Sequence, residues 1–368
     1  MKNFISLQTK LTQMKAKRMI NGFTRTLLDW FRDNGRDLPW RQTGDPYAIW
    51  LSEIILQQTQ VKQGWDYWQR FMHRWPTVDD LAAASEDEVL RAWQGLGYYS
   101  RARNLHFAAR QIVALGHFPD TLDEIRQLKG VGDYTAAAIA SIAFGHPAAV
   151  VDGNVYRVLA RHFGIATPIN TTEGKKTFAA LAQSLMPEAT SDENICGLYN
   201  QAIMDFGAIQ CTPQSPKCIV CPLQESCEAL RSGTISQLPV KQKTLKVKTR
   251  HLTYIYVRYQ GETAIHRRGE GDIWQGLWEP CLIDNGKLIM DNYPEAQLIA
   301  KDVKHVLTHQ LLKADFYLWE PTERPPLPEG YIWIKESDID DYAIPRLIDI
   351  LLSALSASSP DTASPSHV

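Results

Sequence analysis

Four of the chain's six cysteines, Cys211, Cys218, Cys221 and Cys227, fall within seventeen residues at the spacing C-x6-C-x2-C-x5-C. Thiolates gathered this tightly can ligate metal, either a cubane iron–sulfur cluster or a tetrahedral zinc, or stand unliganded. A zinc ribbon brings two C-x2-C pairs, and only Cys218 and Cys221 form one here. The spacing matches neither common ferredoxin pattern, so the cysteines alone leave both metals open. Cys196 and Cys281 stand apart and read as buried thiols.

Two carboxylates have environments that chemistry could use. In YAIWLSEIILQQTQV, Glu53 lies four residues after Ile49 and three before Leu56, on or beside the apolar face of a helix. A buried glutamate has a raised pKa and can donate a proton near neutrality; the plainer reading is a core-edge glutamate paired with an arginine. In AVVDGNVYRVLAR, Asp152 precedes a helix, so its plainer reading is an N-cap. Backbone N–H bonds and the helix dipole at that position would also keep the carboxylate ionised. An acid and an ionised stabiliser are the pair that glycosidic cleavage requires.

The stretch LKGVGDYTAAAIA, Leu128 to Ala140, is a glycine-rich turn opening into a helix. Gly130, Val131 and Gly132 would expose backbone N–H groups to a phosphate oxygen, and no Walker lysine follows. The shape suits sequence-independent contact with a DNA backbone, or simply a tight turn between helices. GLGYYSRARNL sets Tyr98 and Tyr99 beside Arg101 and Arg103, a pattern that could wedge a base stack and meet phosphate, or be core. In LQQTQV, Gln57, Gln58 and Gln60 could contact base edges.

The elements that must position these groups follow from periodicity. The chain has 368 residues, too many for one ordinary core, and is 44% hydrophobic. Its 39 basic and 41 acidic residues nearly cancel, though a balanced total can hide a basic face. Residues 1–18 read as a basic arm. Residues 19–230 carry helical spacing throughout. The stretch 231–250 reads as a basic linker, and 251–356 as a smaller α/β domain with strands at HLTYIYVRY, TAIHRR, ADFYLWE and YIWIKE before a final helix. Residues 357–368 read as a disordered tail. No signal-like segment and no apolar run of about 18 residues is present, which points to a cytoplasmic protein with no membrane partner, nucleoid-associated if bacterial. Monomer is the default, because no coiled coil stands out.

Taken together, LKGVGDYTA, VDGNVYRV and the four-cysteine loop resemble the endonuclease III superfamily of DNA glycosylases. Within it, LPWR (Leu38–Arg41), SEIILQQTQV, GLGYYSRARNL, VDGNVYRVLAR and YNQAIMDFGAIQCTP look like the adenine DNA glycosylases of the MutY type. The likeness is dense from Gly22 to Cys227 and thinner beyond. It implies a multidomain fold: an all-α helix-hairpin-helix glycosylase domain, made of a six-helix module and a cluster module, plus a C-terminal α/β Nudix-like domain. It implies one [4Fe-4S] cluster on the four cysteines. The substrate it implies is double-stranded DNA containing adenine mispaired with 8-oxoguanine or guanine.

By the same resemblance, Glu53 matches the general acid that protonates adenine N7, and Asp152 the carboxylate that stabilises the cation or its covalent adduct. Asn154 and Tyr134 match supporting residues. Arg36, Trp40 and Gln201 match the adenine pocket, and Gln58 and Tyr98 the residues inserted into the duplex. Bifunctional members carry a lysine where this chain has Tyr134, so a monofunctional enzyme leaving an abasic site is expected. Lys129 stands where the family usually has proline. Lys217 is expected to meet phosphate beside a structural cluster. GDIWQGLWEP resembles the entry to a Nudix fold, yet no R-E-x-x-E-E set follows, so binding rather than hydrolysis is expected there. KHVLTHQLL resembles the loop that reads 8-oxoguanine, with Leu307, Thr308 and His309 at its positions. Competing readings are a related mismatch or oxidised-pyrimidine glycosylase and a non-catalytic iron–sulfur DNA-binding protein.

Overall fold

The computed structural model describes residues 22–189, 194–242, 247–284, 293 and 295–358. The basic arm 1–18 and residues 359–368 lie outside them. The chain forms two compact units. Among the described residues, one runs from 22 to Asp79 and from Phe107 to 242, the other from Asp80 to His106 and from 247 to 358. The second unit thus takes in 80–106, a stretch that helical periodicity assigns to the helical domain.

The first unit is helical. Residues 22–34 form α1. A 3-10 turn at Pro39–Arg41 leads into α2 (Pro46–Ile55), capped by Asp45 and buried from Tyr47 through Ile55. The apolar spacing of α2 runs on to Val61, but the helix stops at Ile55 and Gln58 adopts φ 56. Next come α3 (Val61–Arg74) and α4 (Val78–Ala83), whose residues from Asp80 on belong to the second unit. α5 (Glu86–Trp93) belongs to the second unit; the capping box of Ser85 and Glu88 starts it as a separate helix. α6 (Ser100–Leu115) crosses the boundary between the units. In the first unit, α7 (Leu122–Gln127) and α8 (Asp133–Phe144) form the helical hairpin, and Gly130 between them has φ 79, a conformation that costs other residues about 1–2 kcal/mol. Alanine-rich α8 packs against α2 and against α11 (Ile195–Asp205), small side chains letting the backbones approach. α9 (Gly153–Phe163), α10 (Thr172–Ser184) and the short α12 (Glu228–Arg231) complete this unit. α11 continues into a π-helical turn, Phe206–Gln210.

The second unit is built on a mixed sheet. β1 (Lys248–Tyr259) begins inside the stretch read as linker. It pairs in parallel with β6 (Gln310–Trp319), from Lys248 opposite Gln310 to Val257 opposite Trp319, and antiparallel with β2 (Glu262–Arg267) and β4 (Cys281–Asp284). β3 (Trp278–Glu279) and β7 (Tyr331–Lys335) flank β2, and β5 (Gln297–Val306) flanks β6. β1 is buried on both faces. Leu252, Tyr254 and Tyr256 meet Leu347, Ile348 and Leu351 of α13 (Arg346–Ser358), and Ile255 and Val257 meet Ala264 and Cys281. Glu279 is buried within this unit and bonded by Arg268 (2.6 and 2.7 Å) and by the Tyr254 hydroxyl (2.9 Å), which offsets the cost of burying its charge. Among the described residues no helix is long and apolar enough to cross a membrane.

Candidate active site

A cavity of about 540 Å³ opens in the first unit, where α2, α8, α9 and α11 converge. Glu53, Tyr134, Asp152, Asn154, Arg36, Trp40, Gln201 and Gln58 all line it. Eight residues singled out in the sequence therefore share one space, although they come from segments far apart in the chain.

Glu53 is 9% exposed on the third turn of α2. The Tyr134 hydroxyl donates to its Oε2 at 2.9 Å, and lies 3.3 Å from Met204 Sδ. Burial pushes Glu53 from 4.5 up to about 7; the Tyr134 hydrogen bond and the Arg41 charge pull down, and the Asp152 charge pushes up. Asp152 caps α9. Its Oδ1 accepts the Val155 N–H at 2.7 Å, and its Oδ2 accepts Asn154 Nδ2 at 2.8 Å. Burial nevertheless outweighs these bonds and raises Asp152 above its ordinary value. The capping bonds expected to favour the ionised carboxylate are present, and desolvation opposes them. The two acids still differ, since Asp152 accepts backbone and amide donors beside Arg157 while Glu53 has one phenol. Burial, followed by the charges of Glu53 and Asp152, holds the Tyr134 phenol well above its ordinary value, so it stays protonated.

The sequence reading passed over Asp205, the strongest polar anchor of the pocket wall. It is fully buried and accepts from Arg36 (backbone N 2.9 Å, Nε 3.0 Å, Nη2 2.5 Å) and from Arg41 (Nη1 and Nη2, both 2.8 Å). Burial would raise Asp205, but the two guanidinium groups outweigh it and hold the carboxyl below its usual range. Trp40 is buried edge-on to Trp65 (6.0 Å) and Trp68 (5.7 Å), which fixes its ring in the cavity wall. The signal for Asp205 was an acid inside the apolar run YNQAIMDFGAI.

α9 ties this cavity to the cysteines. Arg157 donates to Asn154 Oδ1 (2.8 Å), to the Gly207 carbonyl (2.6 Å) and to the Cys211 carbonyl (2.7 Å). A Cβ on Gly207 would come within 2.6 Å of Asn154 Cβ, so only glycine lets the π-turn lie against α9. One turn further along, Arg161 Nη1 sits 3.5 Å from Cys211 Sγ. Cys211, Cys218, Cys221 and Cys227 line one common cavity with Arg161 and His162. Burial, then the nearness of Cys211 and Cys227, raises the Cys218 thiol. Four thiols around one cavity are a donor set that fits an iron–sulfur cluster, whose positive charge would relieve the thiolate repulsion.

The helical hairpin presents Gly130 and Gly132 to solvent, with Val131 turned inward and its N–H bonded to the Leu128 carbonyl (3.1 Å). Lys129 and Lys217 are exposed. In the second unit, Tyr98 is 46% exposed at φ 48, and its hydroxyl is 2.6 Å from Thr308 Oγ1. Tyr99 is buried, and Arg103 donates to Gln275, so neither is free for the DNA contact that GLGYYSRARNL suggested. Leu307, Thr308 and His309 form the β5–β6 turn. Lys248 N–H holds the His309 carbonyl (3.1 Å), Thr308 and His309 are exposed, and Leu307 packs against the sheet core.

Comparison with known proteins bears on both units. Residues 51–187 match the HhH-GPD superfamily of base excision DNA repair proteins, residues 211–227 the iron–sulfur binding domain of endonuclease III, and residues 253–354 the NUDIX domain. The loop of four cysteines is thus a [4Fe-4S] site. The human adenine DNA glycosylase is 44% identical over 240 residues, 60% of this chain and 43% of that protein, so the match spans under half of this relative's length. The adenine DNA glycosylase of Buchnera aphidicola subsp. Schizaphis graminum is 33% identical over 259 residues, 70% of this chain and 73% of its own length. A solved thermostable thymine-DNA glycosylase superposes with TM-score 0.53 at 32% identity, covering 60% of this chain and 99% of that one. A trapped endonuclease III–DNA covalent intermediate, at TM-score 0.50 and 23% identity, covers 59% of this chain and 98% of that one and shares the fold. Similarity that runs through nearly three quarters of a bacterial relative, and is matched again in the cluster loop and the sheet, means that this chain belongs to the adenine DNA glycosylase family.

Proposed function

We propose that the protein hydrolyses the N-glycosidic bond of adenine opposite 8-oxoguanine or guanine in double-stranded DNA, leaving an abasic site in an unbroken strand. The observation that carries this reading is Glu53, buried and raised to about 7 in a cavity that also holds Asp152. A flipped base entering the cavity takes the Glu53 proton at N7. As the bond breaks, its electrons pass to the base, and Asp152 offsets the charge of the oxocarbenium sugar or bonds to it. Water then adds to the sugar and the cycle returns a proton to Glu53. Tyr134 and Asn154 keep the two carboxyls in place. Arg36, Trp40 and Gln201 form the wall against the base.

Gln58 and Tyr98 act as wedges. Their exposure and their left-handed backbones, φ 56 and 48, support that role, since such strain gathers at functional sites. Gly130, Gly132, Lys129 and Lys217 meet the DNA backbone, while Val131, whose N–H is held by the Leu128 carbonyl, anchors the hairpin from within; Cys211, Cys218, Cys221 and Cys227 ligate the cluster, which orders their loop. Thr308 and His309 read the 8-oxoguanine partner. Leu307, packed inward, shapes that turn and does not intercalate. The chain acts through 19–230 for excision and 251–356 for lesion reading.

A single-turnover assay on a duplex with one adenine opposite 8-oxoguanine tests this, using wild type and Glu53→Gln with and without alkali. Release that requires Glu53, with strand breaks only after alkali, is the expected result. Strand nicking without alkali that disappears in Lys129→Ala would overturn the monofunctional reading. The likeness to a thymine-DNA glycosylase favours one alternative: release from a G:T duplex and none from A:8-oxoguanine would replace adenine with thymine as the substrate.

A further inference from the structure

A second cavity, of about 410 Å³ and here called the outer one, adjoins the first within the same unit. Both volumes suit a small-molecule ligand. Three residues, Arg36, Arg41 and Gln201, line both cavities and so form the wall between them. The two chain segments that build this wall run past it from one side to the other. Along the arm after α1, Leu38 and Trp40 line the inner cavity and Asp37 and Gln42 the outer. Along α11, Leu198 lines the outer cavity, Gln201 both, and Met204 the inner.

The wall has two fixed posts and one free leaf. Arg36 and Arg41 are clamped on buried Asp205. The Gln201 side chain has no hydrogen-bond partner among the described residues and is partly exposed on the α11 face between Leu198 and Met204. Beyond it, Leu28, Phe31 and Leu198 give apolar surface and Arg32 and Gln42 give hydrogen-bond donors. That combination suits a planar heterocycle, apolar on its faces and polar at its edges.

We propose that the outer cavity is an exit vestibule for the excised purine. Resting on the proposed excision of adenine, the route lets the free base leave past Gln201 while the abasic strand still covers the mouth through which the base entered. No bond changes in this step; a rotation of Gln201 opens the wall.

The test uses the full-length, cluster-loaded protein and a duplex with one tritiated adenine opposite 8-oxoguanine. Abasic sites are counted after alkaline quench, and free adenine is separated from protein by rapid filtration. Leu198→Trp fills the outer cavity. Gln42→Trp, at the exposed rim, covers it without touching the core. In wild type, free adenine should follow abasic-site formation closely. In each variant, abasic sites should form at the wild-type rate while free adenine falls behind by about tenfold, since release and not chemistry is then slowed. Adenine release that keeps pace with excision in folded Gln42→Trp overturns the vestibule, whatever becomes of Leu198→Trp. Absence of abasic sites with wild type fails the excision reading instead, and the two failures are thereby separate.

Discussion

Replacing Glu53 with glutamine should make the protein more stable, by a margin that opens as pH rises above 4.5 and is complete above about 7. Glu53 is 9% exposed and raised from 4.5 to about 7, chiefly by burial. Between those values the native state keeps a proton that the unfolded chain has released, so stability falls as pH rises through the window and the deficit is complete above about 7. A rise of this size corresponds to a deficit of about 3 kcal/mol at pH well above the window. Glutamine has nearly the same shape, accepts the Tyr134 hydroxyl at its carbonyl oxygen, and cannot ionise. Urea unfolding followed by tryptophan fluorescence should therefore show Glu53→Gln gaining on wild type by about 2 kcal/mol between about pH 5.5 and about pH 8. Excision should be lost at every pH, because the proton donor is gone. A variant whose advantage is independent of pH, or that is less stable than wild type at pH 8, refutes the placing of a costly buried charge at this position.

Three further outcomes follow from the same geometry. Tyr134→Phe removes the hydrogen bond that favours the Glu53 anion; the fall in single-turnover rate on the alkaline side should move to higher pH, and a fixed or lowered limb would contradict the bond's direction. Arg157→Met leaves the Gly207 and Cys211 carbonyls and Asn154 without their donor, so stability should drop by about 2–5 kcal/mol, with iron content and excision rate falling together; full iron content with undiminished activity would separate the two sites. Asp205→Asn strands two guanidinium groups around a neutral amide and should cost about 3–5 kcal/mol in thermal or urea unfolding, an unchanged melting temperature being the contrary result.

The sequence read well where the governing interactions are short in the chain. Asp152 and Val155 are one helical turn apart, so the N-cap is visible in VDGNV. Gly130 declares a left-handed turn by being glycine. Helical spacing over α6, α8, α9 and α11 holds because those helices are long or strongly apolar. Reading was weaker where a local break interrupts a continuing pattern, as at Leu56–Gln60 after α2 and at Ser85 between α4 and α5. β3, β4 and β5 went unread: the first two have two and four residues, and the third carries a bulged register with mostly outward-facing side chains.

Residue types by themselves determined what chemistry is open to the chain: thiols close enough in sequence to share one metal group, and a hairpin able to offer N–H groups. Tertiary structure alone decided what state those residues are in. Glu53 keeps its proton up to about 7 because the helices packed around it exclude water, against the opposing pull of the Tyr134 hydroxyl that α8 brings from 81 residues away. Asp205 anchors the pocket wall because Arg36 and Arg41, 169 and 164 residues away, reach it. Desolvation and long-range charge depend on everything packed around a group, whereas capping, turns and ligand spacing depend on a few neighbours in the chain. The first kind of information exists only once the chain has folded.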